Sequence, residues 1–181
     1  MSLLSQSTVS NKISLNGVGI HTGKKVSLNI LPASPNSGII FKRVDLNDNN
    51  IVIPNFENVS EATLCTTISN QYGVKVSTIE HLMAAFLGLG IDNAIVELDS
   101  QEIPILDGSA MNFVKVIKET GLKNSDIPIK LIKINNSVQI EEGQKFISIE
   151  KSNTNLEIEF EINYENKLIN NQKNKINVFE D

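Results

Sequence analysis

An α+β fold follows from three features of this sequence. Strand-like alternation fills the chain from Val9 to Val76. Two helical patterns follow, from Ser77 and from Ala110. Strand patterns then return after Pro128 with no further helix. The expected architecture is a two-layer domain of sheet plus helices over 1–124. It is followed over 128–181 by the β-rich start of a second, similar domain that is incomplete.

Val9 to Leu15 alternates and reads as a strand, as does Lys25 to Leu31, where Val26, Leu28 and Ile30 share one face. The segment Gly17-Val18-Gly19-Ile20-His21-Thr22-Gly23 between them has turn chemistry at its end, so the pair predicts a long antiparallel hairpin. Pro32, Pro35, Asn36 and Gly38 mark a loop. Ile39 to Val44 reads as a strand, Asp45 to Asn50 as polar loop. Ala62 to Ile68 and Val74 to Val76 read as short strands around the turn Asn70-Gln71-Tyr72-Gly73.

The first helix is expected to start near Ser77, because Ser77 and Glu80 have capping-box spacing, and to end at Gly88 and Gly90. Ala94 to Leu98 is a strand. Asp107 or Ser109 is a suitable N-cap for a second helix, Ala110 to Thr120, with Val114 and Ile117 pointing inward and Gly121 ending it. Lys123-Asn124-Ser125-Asp126 before Pro128 reads as a polar break and a domain boundary. Strands are expected at Ile129–Ile134, Phe146–Ile149 and Leu156–Tyr164, with turns at Asn135-Asn136 and Glu142-Gly143. The stretch after Tyr164 is Asn- and Lys-rich and shows no helix of its own.

The 181 residues are 40% hydrophobic and 20% charged, an ordinary globular profile. A net charge of -5 and the lack of a basic stripe argue against nucleic-acid partners. The one cysteine, Cys65, rules out an intrachain disulfide and fits a reducing compartment. The N-terminus has neither the basic nor the apolar region of a secretory signal. The apolar run Leu82–Ile91 is too short to span a membrane. A cytoplasmic location is the expectation.

Chemistry concentrates at Glu80-His81. Adjacent helical residues point about 100° apart, so they can flank one small site. His81 can offer a neutral nitrogen to a metal, and Glu80 can take a proton from water activated there. The competing reading is a capping glutamate beside a surface histidine. His21, the other of the two histidines, sits in a glycine loop, where close backbone approach and a plain hairpin turn both fit. Cys65 reads by default as an inert thiol.

Five segments occur in order: Gly17-Val18-Gly19-Ile20-His21-Thr22-Gly23-Lys24-Lys25, Thr63-Leu64-Cys65-Thr66, Ser77-Thr78-Ile79-Glu80-His81-Leu82-Met83-Ala84-Ala85, Gly88-Leu89-Gly90-Ile91-Asp92-Asn93 and Glu102-Ile103-Pro104-Ile105-Leu106-Asp107-Gly108-Ser109-Ala110. Together they resemble the LpxC family of UDP-3-O-acyl-N-acetylglucosamine deacetylases, the zinc amidases of lipid A synthesis in Gram-negative bacteria. The resemblance implies two similar α+β domains with the site between them, in a monomeric intact protein. It implies Zn2+ as cofactor and a UDP-linked acylated glucosamine as substrate. His81 would be the first zinc ligand and Glu80 the general base. His21, Leu64 and Cys65 would border the site. Lys145 and Tyr164 would lie near the nucleotide, and Asp107 would be mainly structural.

One departure accompanies the match. The family's other zinc ligands are a His and an Asp four residues later, and no histidine follows His81 here. The expectation is therefore a fragment, inactive by itself. The alternative is a short, non-catalytic relative that binds a sugar nucleotide or acts as a scaffold.

Overall fold

The computed structural model describes residues 4–152 and 157–177. The chain divides into two units, Met1–Lys130 and Leu131–Asp181.

The first unit is organised by the expected hairpin. β1 (Ser5–Val9) precedes β2 (Ile13–Val18), which pairs with β3 (Lys25–Pro32) from Ile13↔Ile30 to Val18↔Lys25. The segment read as one strand from Val9 to Leu15 is thus two strands, broken at Ser10. β4 (Ile39–Arg43), β5 (Ile51–Val52) and β9 (Ala94–Leu98) complete a sheet in the order β2-β3-β9-β4-β5. Only the β4–β9 pair is parallel. Alternation puts Val26, Leu28 and Ile30 of β3 and Ala94, Val96 and Leu98 of β9 on the buried face.

A small sheet joins β6 (Val59–Glu61), β7 (Thr67–Ser69) and β8 (Lys75–Val76). Ala62 to Cys65, expected in a strand, form the loop between β6 and β7 instead, where Leu64 adopts φ 65°. A side chain in the left-handed region cannot continue a strand.

Helix α1 spans Glu80–Leu89 and α2 spans Met111–Thr120. Leu82, Ala85 and Phe86 of α1 and Phe113 and Ile117 of α2 bury against the sheet residues in one cluster. Phe113 is fully buried, a deeper position than the expected Val114. The capping box does not form: Ile79 is the N-cap, and Ser77 is drawn away into a parallel bridge with Glu102. Gly88 lies inside α1. Gly90 ends the helix in the left-handed conformation, its N–H bonded to the Leu87 carbonyl and that of Ile91 to Phe86. At α2 the Ser109 hydroxyl accepts from the Met111 N–H, and Asp107 accepts from both the N–H and the hydroxyl of Ser109. Those bonds hold the Asp107 carboxyl below the usual range.

Residues 123–126, expected as a break, lie in β10 (Leu122–Pro128), which pairs antiparallel with β1. Its polar composition hid it: only Ser125 is half-buried, while the Ser125 hydroxyl donates to the Gln6 carbonyl. Ile129–Ile134 is not a strand.

Among the described residues the second unit contains two hairpins. β11 (Val138–Glu142) and β12 (Lys145–Ile149) join through Gly143 and Gln144, with Gly143 at φ 62° as a two-residue turn requires. β13 (Glu157–Asn163) pairs with β14 (Asn171–Asn177), which lies in the Asn- and Lys-rich stretch. Lys173 reaches Glu159 at 2.6 Å and Lys175 reaches Glu157 at 3.2 Å, both diagonal and exposed on the ladder that also pairs Ile158 with Ile176. Leu156, expected on the apolar face of β13, lies outside the described residues. Among the described residues no helix is long and apolar enough to cross a membrane.

Candidate functional site

The hairpin loop, the β6–β7 loop and the approach to α1 meet around one pocket of about 380 Å³. His21 and Thr22 line it from the first, Leu64 and Cys65 from the second, and Ser77 from the third, with Glu102 beneath. Three of the residues expected at the substrate side, His21, Leu64 and Cys65, are therefore brought together. Leu64 is 87% exposed, and its φ of 65° turns an apolar side chain toward solvent at a conformational cost. Cys65 is half-buried, with its Sγ 3.7 Å from the Thr67 hydroxyl.

Glu80 opens α1, where an acidic residue is favoured by the helix dipole. Its Oε2 accepts a 3.1 Å hydrogen bond from the N–H of Thr66, next to Cys65. The capping role read from sequence is thus replaced by a bond to the pocket loop. His81 follows, half-buried. Lys145 in β12 and Tyr164 after β13 belong to the second unit and are exposed there.

Sequence reading assigned no role to Glu102. Its side chain is fully buried. Oε1 accepts from the His21 N–H at 3.0 Å and the Thr78 hydroxyl at 3.1 Å, and Oε2 from the Thr22 N–H at 2.8 Å. Burial is the largest single influence on this carboxyl and opposes its ionisation. The bonds from the His21 and Thr22 N–H groups and the Thr22 and Thr78 hydroxyls outweigh it and lower the pKa. Gly19 is required here, because a Cβ would collide with Glu102 Oε2. The signal in the sequence was its place at the head of the segment Glu102-Ile103-Pro104-Ile105.

In kind, the donors suit zinc: an imidazole nitrogen at His81 with a carboxylate beside it. In number they fall short of a catalytic site. Among the described residues no three His, Cys, Asp or Glu side chains are grouped to hold an ion. A larger cavity of about 640 Å³, lined by Gln6, Pro35, Asn93 and Lys123 among others, holds none of the candidate residues.

The family model for UDP-3-O-acyl N-acetylglycosamine deacetylase (LpxC) matches residues 6–181. The chain belongs to this family. It is 44% identical over 147 residues to the UDP-3-O-acyl-N-acetylglucosamine deacetylase of Shewanella sp. (strain ANA-3), which covers 81% of this chain and 48% of that protein. With the protein of the same name from Colwellia psychrerythraea (strain 34H) it shares 43% identity over 162 residues, covering 88% of this chain and 53% of the relative. The chain spans about half the length of the curated relatives it matches.

Proposed function

We propose that this sequence supplies the general base and one zinc ligand of a UDP-3-O-acyl-N-acetylglucosamine deacetylase acting in lipid A biosynthesis. The carrying observation is the Glu80–Thr66 bond. It fixes a carboxylate at the start of α1 against the loop of Leu64 and Cys65, with His81 adjacent. The reaction is hydrolysis of an acetamide to acetate and a free amine. Zinc, when bound, supplies Lewis-acid activation of the water and the acetamide carbonyl. His81 would hold the ion through a neutral imidazole nitrogen. Glu80 takes the proton of the attacking water, its carboxylate oriented by the Thr66 N–H. His21, Leu64 and Cys65 border the acylated sugar, and Lys145 and Tyr164 meet the nucleotide. The protein acts in the cytoplasm.

One imidazole with solvent is a poor zinc site, so the 181-residue chain alone releases no acetate. It binds Zn2+ no tighter than micromolar, and His81→Ala abolishes that binding. Competition against a chromophoric chelator, with a parallel acetate assay on the UDP-linked substrate, tests this. Tight stoichiometric zinc, or binding indifferent to His81→Ala, overturns the reading. Metal-independent capture of the UDP-sugar with no role for Glu80 would favour the binding-module alternative.

A further inference from the structure

We infer that Glu102 is a positioning residue of this site, tying the His21 loop to the turn that launches Glu80 and His81. The inference rests on reading these three residues as one site. Two segments far apart in sequence converge on this one carboxylate: His21 and Thr22 through their N–H groups, and Thr78 through its hydroxyl. A carboxyl surrounded by donors alone must be an acceptor-only group, which an ionised carboxylate is and an amide is not. Burying a charge is costly unless it is fully hydrogen-bonded, as Glu102 is.

The partner at the α1 end is under strain. Thr78 is buried and β-branched, yet adopts φ 58° two residues before Glu80. Such a conformation persists only where its surroundings over-determine it. Here the surroundings are the Glu102 bond and the flanking bridge, with the Ser77 N–H bonded to the Gln101 carbonyl at 2.8 Å and the Ile103 N–H to that of Ser77 at 3.1 Å. On the other side the Ile105 N–H bonds the Val18 carbonyl at 3.0 Å. The segment from Gln101 to Ile105 is therefore stitched to both halves of the site. Glu102 is its one side chain bonded to both. Moving His21 relative to Glu80 requires breaking a bond at Glu102.

The test uses the full chain, 15N-labelled and metal-free, read by NMR. With two imidazoles, each ring signal is assigned from one His→Gln variant. Thr78→Val deletes the hydroxyl and keeps the shape; Thr78→Ser keeps the hydroxyl. The expected result is that Thr78→Val shifts the His21 ring signals. It also speeds hydrogen exchange of the His21 and Thr22 amides by about tenfold, as loss of a bond to a charged group should. Amides in β3 and β9 stay as in the wild type, and Thr78→Ser matches the wild type throughout. An unmoved His21 loop in Thr78→Val, or equal effects of the two variants, overturns the inference. If Thr78→Val does not fold, the wild-type chain is titrated with acid instead. The His21 and Thr22 amides and the Thr78 methyl must then move with one midpoint, and separate midpoints overturn the inference. No metal or substrate enters, so failure here leaves the deacetylase reading standing. Failure of the zinc titration likewise leaves the coupling standing.

Discussion

Glu80 and Thr66 are joined by a 3.1 Å hydrogen bond from a backbone N–H to a carboxylate oxygen, fixing the first residue of α1 against the β6–β7 loop. Glu80→Gln keeps a carbonyl acceptor for that N–H, whereas Glu80→Ala leaves it without one. Glu80→Ala should cost about 1–2 kcal/mol, and Glu80→Gln less than about 1 kcal/mol. Urea unfolding measures both, and faster exchange of the Thr66 amide in Glu80→Ala alone locates the loss.

Two glycines should respond with opposite signs. Gly19 has no room for a Cβ beside Glu102, so Gly19→Ala should destabilise by about 1–3 kcal/mol. Gly88 lies within α1 with open space around it, so Gly88→Ala should stabilise by about 0.4–1 kcal/mol. Thermal melts of the two variants decide this; a Gly19→Ala protein as stable as wild type would refute the packing seen at Glu102.

Part of the acid sensitivity should trace to Glu102. Its folded pKa is lowered, so its contribution to stability is fully present above the unfolded value. The contribution is lost as pH falls through the lower, folded value. Stability should decline from the ordinary carboxylate range downward. Glu102→Gln should start less stable at neutral pH and show a shallower acid limb. Urea midpoints from neutral pH into the acid limb, for both proteins, measure the difference.

Within α2, burial rather than hydrophobicity should set the cost of truncation. Phe113 is fully buried and Met111 is 65% exposed. Phe113→Ala should lose about 3–5 kcal/mol and Met111→Ala less than about 0.5 kcal/mol. Comparable losses in chemical denaturation would mean that α2 packs by another face.

What the sequence disclosed was what apolar periodicity can carry. The β2–β3 hairpin, β9 and both helices announced themselves through Val26, Leu28, Ile30, Leu82, Phe86 and Ile117, each on a buried stripe. β10 and β14 did not. Their cross-strand side-chain contacts are polar, the Ser125 bond to Gln6 and the Lys173–Glu159 and Lys175–Glu157 pairs, and such residues mimic loop composition. The capping box at Ser77 was a local rule overridden from a distance, because the bridge to Glu102 claims Ser77 before the helix begins. His21, Leu64 and Cys65 were legible as one neighbourhood only through the family resemblance. The carboxylate beneath them was not, since Glu102 stood at the head of its segment with no local pattern to mark it as buried.

The parallel β4–β9 ladder also sets an order of assembly. Arg43 and Leu98 are register partners, yet the whole small sheet and α1 lie between them in the chain. Closing so long an interval is slow compared with forming the β2–β3 hairpin. Glu102 follows β9 directly, so the His21 loop can form early but gains its anchor only after that closure. The pocket should therefore be completed late in folding, and a nascent chain stalled before Leu98 would carry the His21 and Leu64 loops without Gln101 and the Glu102 carboxylate beneath them.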